Sequence, residues 1–500
     1  MVYRGKPSNG CLSCRERKVK CDEAKPVCRR CSRGRRPCKG YRDQLSMWFK
    51  DQTEETSRKL TLAASNSIRL QALKIPKSKP FGSITFPLEG ERIYQATCFF
   101  VKSASIFGDS CLLALTPFPE TIDQKAMMAG VAAVGLAQLS AINKSPAMML
   151  SAMQEYHRAL NLTNLALSEP AQALSDYTLM AIVCLSLYGV TRGKEEKPLD
   201  SWHHHWKGVA ALIQLRGPGQ FRNPSGLQLF QILRHGVMIS CLQRRTRIPH
   251  VLIEMPGSLD GCINVADRLS QIAFQFCELR ADIDTAIVTD CSMVLKRALD
   301  IDLQLEHLIA NLSPSFSYTT VLCPKDTLFR VGRGNIMHHN GRYHIYQSIE
   351  ACRLWNNYRL IRILVNELIL SQLQPSGAPI FGTRYQTDLI TQLMEQLAID
   401  VCYSVWYNIG ESMDSNREAN RISSVGVHAG FTLLLPLLIA IAVKGAHSPT
   451  GIWITDLLDL IGQGNGIEAA LLLREYLQKE STGGSTQGKI QSAFGWLDGS

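Results

Sequence analysis

The sequence predicts a mostly α-helical protein in which a small cysteine-stapled module precedes a large all-helical domain. Three observations predict it. Six cysteines fall within the first forty residues, in two equal C-x2-C-x6-C halves. From about residue 90 the apolar residues follow the helical period, notably over 125–142, 147–167 and 176–190. Runs of strand-forming residues in strict alternation are rare.

The cysteines are Cys11, Cys14, Cys21, Cys28, Cys31 and Cys38. In a basic segment, such intervals indicate a metal site rather than a disulfide framework. Four tetrahedral thiolates close one structural zinc site. Six thiolates therefore hold one zinc with two sulfurs left over, or two zincs if two sulfurs bridge. The equal halves favour two equal metal positions. Between Cys14 and Cys21 the chain reads Arg-Glu-Arg-Lys-Val-Lys, with no Gly or Pro, and predicts a short helix through the whole stretch. Arg15 and Lys18 lie three apart on it, as do Arg17 and Lys20. The corresponding stretch of the second half contains Gly34 and Pro37, so its helix is expected to be shorter. The first half is then the better candidate to read DNA. Lys25-Pro26 supplies a turn between the halves.

These residues resemble the fungal Zn2Cys6 binuclear-cluster transcription factors. The resemblance rests on the six cysteines, the Arg-x-Arg-Lys-x-Lys-Cys run from Arg15 to Cys21, and the Lys-Pro turn. It implies two zinc ions per chain. Cys11 and Cys28 would bridge them, Cys14 and Cys21 would complete one site, and Cys31 and Cys38 the other. It further implies that Lys18 reads the base edges of a CGG-type triplet, donating to guanine O6 and N7 in the major groove. Arg15, Arg17 and Lys20 would mainly hold phosphates, which position the module without specifying sequence. The competing view is a metal-stapled protein-interaction module whose basic run is a solvated face.

Charge is concentrated at the same end. Residues 1–50 carry fifteen Lys and Arg against four Asp and Glu, a formal +11, which is also the charge of the whole chain. Residues 51–500 are therefore close to neutral. Six thiolates and two zinc ions would leave about +9 on the module. Such a patch is the footprint of a polyanion partner, here double-stranded DNA, with binding that weakens steeply in salt. The clusters Arg29-Arg30 and Arg33–Arg36 also suit nuclear import, and the expected location is the nucleus.

Ten further cysteines run from Cys98 to Cys402 without a C-x-x-C pair, as small buried residues of a reducing compartment do. Met1–Lys6 is polar and basic and reads as no secretory signal. The longest apolar stretch, Leu433–Val443, is too short to span a bilayer and contains Pro436, so a buried kinked helix is expected and no membrane partner.

The organisation that follows is a DNA-binding module at 1–45, a linker at 46–89, a helical regulatory domain at 90–479 and a flexible tail at 480–500. After the cysteines, Gly-Tyr-Arg-Asp-x-Leu with Trp48 and Phe49 is similar to the segment that follows the cluster in many members of the family. Leu60, Leu62, Ile68, Leu70, Leu73 and Ile75 fit no sustained heptad, which argues for one short site bound by a monomer, with a homodimer as the alternative. Within the helical domain, Trp-x-x-His-x-x-Gly-x-x-x-Leu-Ile-x-x-Arg-Gly, carried by Trp202, His205, Gly208, Leu212, Ile213, Arg216 and Gly217, resembles the fungal-specific transcription factor domain. Tyr156–Leu160, Gly226–Phe230 and Cys241–Pro249 continue it. The resemblance implies an all-helical regulatory domain.

Chemistry finds little support there. His203, His204 and His205 are consecutive, so on a helix they point to three faces and do not converge on one ion. His338, His339 and His344 lie in a glycine-rich stretch expected to be a loop. Gly462-x-Gly464-x-Gly466 lacks the third spacing and the strand–turn–helix context of a dinucleotide loop, and reads as a helix end. No nucleophile elbow, His-Glu-x-x-His or phosphate-loop lysine occurs, so no enzyme is expected. The short Ala493–Asp498 tail reads as docked or disordered rather than as an activation motif. The expected function is zinc-dependent, sequence-specific regulation of RNA polymerase II genes, for a secondary-metabolite or catabolic gene cluster, with transcription machinery or coregulators as partners. The alternatives are a chromatin-tethered recruiter of partners and an effector-gated receptor.

Overall fold

In the computed structural model the described residues are 11–24, 27–40, 89–103, 119–192, 198–222, 224–254, 264–373, 383–410 and 427–479. The expected linker, apart from Glu89, the Lys25-Pro26 turn, the Trp48-Phe49 pair and the tail at 480–500 lie outside them.

The cysteine module holds two five-residue helices, α1 (Leu12–Glu16) and α2 (Arg29–Arg33). The remainder is built from α3 (Glu89–Ser103), α4 (Ile122–Asn143), α5 (Pro146–Ser168), α6 (Pro170–Ala173), α7 (Asp176–Arg192), α8 (Pro198–Arg216), α9 (Pro224–Arg244), α10 (His250–Glu254), α11 (Val265–Asp284) and α12 (Cys291–Ala310). Four short strands follow, and then α13 (Ile349–Leu373), α14 (Thr383–Ile409), α15 (Val427–Lys444), α16 (Pro449–Asn465) and α17 (Glu468–Lys479).

The three helices expected at 125–142, 147–167 and 176–190 are α4, α5 and α7, each longer by a few residues. Their ends have local causes. Thr121 and Gln124 form a capping box at the start of α4. Ser145 accepts the Met148 N–H at the start of α5, where Pro146 occupies the first turn without needing a donor. Helix α4 is apolar all round and is the centre of its layer, packed against α3, α5 and α7. It has the length and apolarity to cross a bilayer, but 72% of that window is buried within the protein. Gly135 shows how tight the packing is: a Cβ there would lie 2.2 Å from the Ala96 carbonyl oxygen of α3. One hydrophobic core runs from Ala96 to Leu477, while Cys11, Cys14, Cys28 and Cys31 form a separate small core of their own.

The glycine-rich stretch expected to be a loop is instead a pair of antiparallel ribbons. Strands β1 (Tyr318–Leu322) and β4 (Arg342–Tyr346) pair with Thr320 opposite His344, and β2 (Leu328–Val331) pairs with β3 (Gly334–Met337). The turn between β2 and β3 is Gly332-Arg333, with Gly332 at φ +58°, a conformation that a hairpin turn of this length needs and that glycine adopts without strain. Alternation is present but brief: Phe329 and Val331 face inward while Leu328 and Arg330 face out.

The three histidines of this region are buried among rings and hydroxyls rather than gathered around an ion. His338 stacks between Phe329 and Tyr343, His339 Nε2 lies 3.2 Å from Thr450 Oγ1, and His344 Nδ1 lies 3.0 Å from the Tyr346 hydroxyl. Burial brings His338 and His339 down to about 4 and His344 to about 3; nearby Lys444 adds to the effect on His339, and Arg359 to that on His344. An unfolded chain titrates its histidines near 6.5. Between about pH 6.5 and about pH 4 the unfolded state therefore binds more protons than the folded one, and stability falls as pH is lowered through that window. Thermal melts of the full-length protein are expected to give a lower Tm at about pH 5 than at about pH 7. An unchanged or raised Tm at the lower pH would contradict neutral, buried histidines.

Candidate metal centre and nucleic-acid interface

The two halves of the cysteine module repeat each other at the level of single hydrogen bonds. In the first, the Cys14 N–H donates to Cys11 Sγ (3.4 Å); in the second, the Cys31 N–H donates to Cys28 Sγ (3.2 Å). Helix α1 ends with the Val19 N–H donating back to the Cys14 carbonyl (3.0 Å), and α2 with the Arg36 N–H donating to the Cys31 carbonyl (3.1 Å). The residue before each donor is left-handed: Lys18 at φ 55° and Arg35 at φ 48°. This is the Schellman arrangement, in which glycine usually fills the left-handed position. A side chain there costs about 1–2 kcal/mol.

The helix expected to run from Cys14 to Cys21 thus stops at Glu16, and the second helix is not shorter but equal, at five residues. The reason is closure. A continuing helix would carry residue 21 about 10 Å along the axis from residue 14. The left-handed turn at Lys18 instead brings the Cys21 sulfur back to the others. Lys18 and Lys20 are therefore not on the helix that bears Arg15. Lys18 sits at the tip of the turn, and Arg17, Lys18 and Lys20 are all exposed, with no ion-pair partner among the described residues. The Arg15 side chain lies outside the described residues.

The sulfurs form two tetrads. Cys11, Cys14, Cys21 and Cys28 lie within 4.8 Å of one another, as do Cys11, Cys28, Cys31 and Cys38. Cys11 and Cys28 are common to both, 3.6 Å apart; Cys11 to Cys31 is 3.7 Å and Cys14 to Cys28 is 3.8 Å. A tetrahedral zinc with bonds of about 2.3 Å separates its sulfurs by about 3.8 Å. The donor set thus fits two zinc ions sharing two thiolates. Electrostatics point the same way. Burial pushes the Cys11 thiol strongly upward and the Cys28 thiol up to about 12. For Cys21 burial also acts upward, but the N–H groups of Cys11 and Glu23 aimed at its sulfur prevail and bring it down to about 7. Packed thiols of this kind become thiolates together only when cations compensate them.

Other residues hold the module shut. Buried Ser13 donates to the Pro37 carbonyl and accepts the Lys39 N–H, both at 3.0 Å, tying the first helix to the end of the second half. Asp22 accepts the Arg29 N–H at the start of α2 (3.1 Å), and Lys39 pairs with Glu16 (3.0 Å). Sequence reasoning missed these three; the only local signal was a small polar residue inside the first C-x2-C. Exposed around the sulfur core are Arg29, Arg30, Arg33, Arg35 and Arg36 as well as the first-half cations.

The motif of the helical domain also has a plain structural meaning. On α8, His205, Leu212 and Ile213 are buried, Arg216 pairs with Asp176 of α7, and Gly217 at φ +60° ends the helix. The side chains of Trp202, His203 and His204 lie outside the described residues.

Residues 9–47 match the fungal Zn(2)-Cys(6) binuclear cluster domain, and residues 98–248 match the fungal specific transcription factor domain. Together they show a Zn2Cys6 cluster domain followed by a fungal specific transcription factor domain, and the cofactor of the cluster is a pair of zinc ions held by its cysteines. Among its relatives are the aspercryptin biosynthesis cluster-specific transcription regulator atnN of Emericella nidulans, 36% identical over 21% of this chain and 18% of the relative, and the transcription activator AMTR1 of Alternaria alternata, 40% identical over 15% and 11%. White-opaque regulator 2 of Candida albicans is 38% identical over 11% of this chain and 13% of its own. Each alignment spans less than a fifth of the relative's length. No solved structure gives a significant match.

Proposed function

We propose that residues 11–40, folded around two zinc ions, read a short DNA sequence, and that residues 90–479 govern the resulting regulation of RNA polymerase II genes in the nucleus. The observation that carries this is the pair of sulfur tetrads sharing Cys11 and Cys28, beside an exposed Lys18, without an ion-pair partner among the described residues, at the tip of a fixed turn. Cys11 and Cys28 bridge the metals; Cys14 and Cys21 complete one site, Cys31 and Cys38 the other. Lys18 donates to the guanines of a CGG-type triplet, since a turn held by the metal cluster presents its ammonium at low entropic cost. Arg15, Arg17 and Lys20 bind phosphates. The likeness to atnN, a cluster-specific regulator by its name, supports control of a biosynthetic gene cluster. Coregulators and a second copy are the further partners this reading allows.

Fluorescence anisotropy with cognate and scrambled duplexes tests the roles. Lys18→Ala is expected to cost about 1–3 kcal/mol on the cognate duplex and little on the scrambled one. Equal losses on both would remove Lys18 from base reading. Lys20→Ala is expected to weaken both duplexes alike and to reduce the salt slope by about one. A loss confined to one base position would contradict a phosphate role.

A further inference from the structure

A pocket of about 460 Å3 opens into the helical domain, walled by α8, α9, α11, α13, α14, α15 and α17. Close-packed interiors hold few voids larger than a water molecule, whereas pockets for small organic ligands begin at about 300 Å3. Its wall is mostly apolar; Trp206, Ile239, Leu354 and Leu435 are representative. The charges on it are balanced. Arg234 Nη1 pairs with Asp267 Oδ1 at 2.8 Å, and Arg353 stands beside the carboxylate of Glu350. His235, brought to about 4 by burial and by the charge of Arg353, is neutral at physiological pH. An ion entering this space would meet no uncompensated opposite charge, and would lose its hydration.

The wall also carries hydrogen-bonding capacity that the protein does not use. Arg234 is 2% exposed and Gln243 6% exposed, and both line the cavity. Arg234 Nε and Nη2, two donors, and Gln243 Oε1, an acceptor, have no partner. Such groups are rarely left unmet in an interior.

We propose that this cavity binds an uncharged, mostly apolar organic molecule whose carbonyl or ether oxygen accepts from Arg234 and whose hydroxyl or amide group donates to Gln243. Seven helices meet at the wall, so occupancy stabilises their packing as a unit. The inference concerns the helical domain and stands whether or not residues 11–40 read DNA.

The test titrates the full-length, zinc-loaded protein with Nile red, an uncharged apolar dye bearing a carbonyl, and in parallel with the anionic dye 8-anilinonaphthalene-1-sulfonate. Nile red is expected to bind saturably at one site per chain and to raise the Tm, with the anionic dye the weaker ligand. Ser270→Trp, which fills the cavity from α11, is expected to abolish that binding; Ile239→Trp does the same from α9 should the first variant fail to fold. Leu322→Ser, at an exposed position of β1, leaves it unchanged. Undiminished binding in both folded tryptophan variants, loss in Leu322→Ser, or tighter binding of the anionic dye would each overturn the proposal.

Discussion

Cys28→Ser is expected to release both zinc ions and unfold residues 11–40, the largest effect any single substitution in the chain should have. Cys28 is fully buried, belongs to both sulfur tetrads, and lies within 3.8 Å of Cys11 and Cys14. Its sulfur also accepts the Cys31 N–H that starts α2. Two five-residue helices are far below the length at which a helix persists by itself, and the module's own core is four cysteines. Metal binding must therefore supply the folding free energy, about 10–16 kcal/mol in small zinc modules. A serine hydroxyl is not a thiolate and cannot bridge two ions on the same terms. Metal analysis with far-ultraviolet circular dichroism of the variant is the check. Two retained zincs with native helix content would remove Cys28 from the bridging position. Cys14→Ser, which touches one tetrad, should be the milder variant.

Asp267→Ala is expected to destabilise the helical domain by about 3–5 kcal/mol. Asp267 pairs with Arg234 at 2.8 Å, and the arginine side chain is almost wholly enclosed, lying over the Phe274 ring at 4.8 Å. Burial alone pushes the guanidinium toward losing its charge, and the carboxylate of Asp267 opposes this. Removing the carboxylate leaves a cation in an apolar interior. It also removes half of the capping box at the start of α11, where Asp267 and Asn264 exchange side-chain-to-backbone hydrogen bonds. The double variant Arg234→Met, Asp267→Ala tests the cause. It should be more stable than Asp267→Ala alone, since no charge is then left without its partner. Denaturant midpoints in the opposite order would show that the cap, and not the stranded charge, dominates.

Legibility in the sequence follows the range of the interaction. The C-x2-C-x6-C halves are legible because ligand spacing is a local property. Helices α4, α5 and α7 are legible because each has a cap or Pro at its start and a sustained apolar period. The Gly466 helix end at φ +71° was legible for the same reason. The turn at Lys18 was not: nothing between Cys14 and Cys21 breaks a helix, and the break is imposed by the need to bring the Cys21 sulfur to those of Cys11, Cys14 and Cys28. The ribbons between 318 and 346 were missed because strands of four or five residues show too little alternation, and because Gly332 and Gly341 read as loop. The Arg234–Asp267 pair spans 33 positions and two helices, and no local pattern announces it. The cavity is likewise a product of seven helices meeting.

Selection of random duplex oligonucleotides by the full-length protein in zinc-containing buffer, followed by sequencing of the bound pool, tests the central claim most directly. The account predicts enrichment of a CGG-type triplet that disappears when the zinc is chelated. One triplet would accord with a monomer, and two at a fixed spacing with a dimer. A pool with no enriched motif, from protein shown to carry two zinc ions, would contradict sequence reading by residues 11–40.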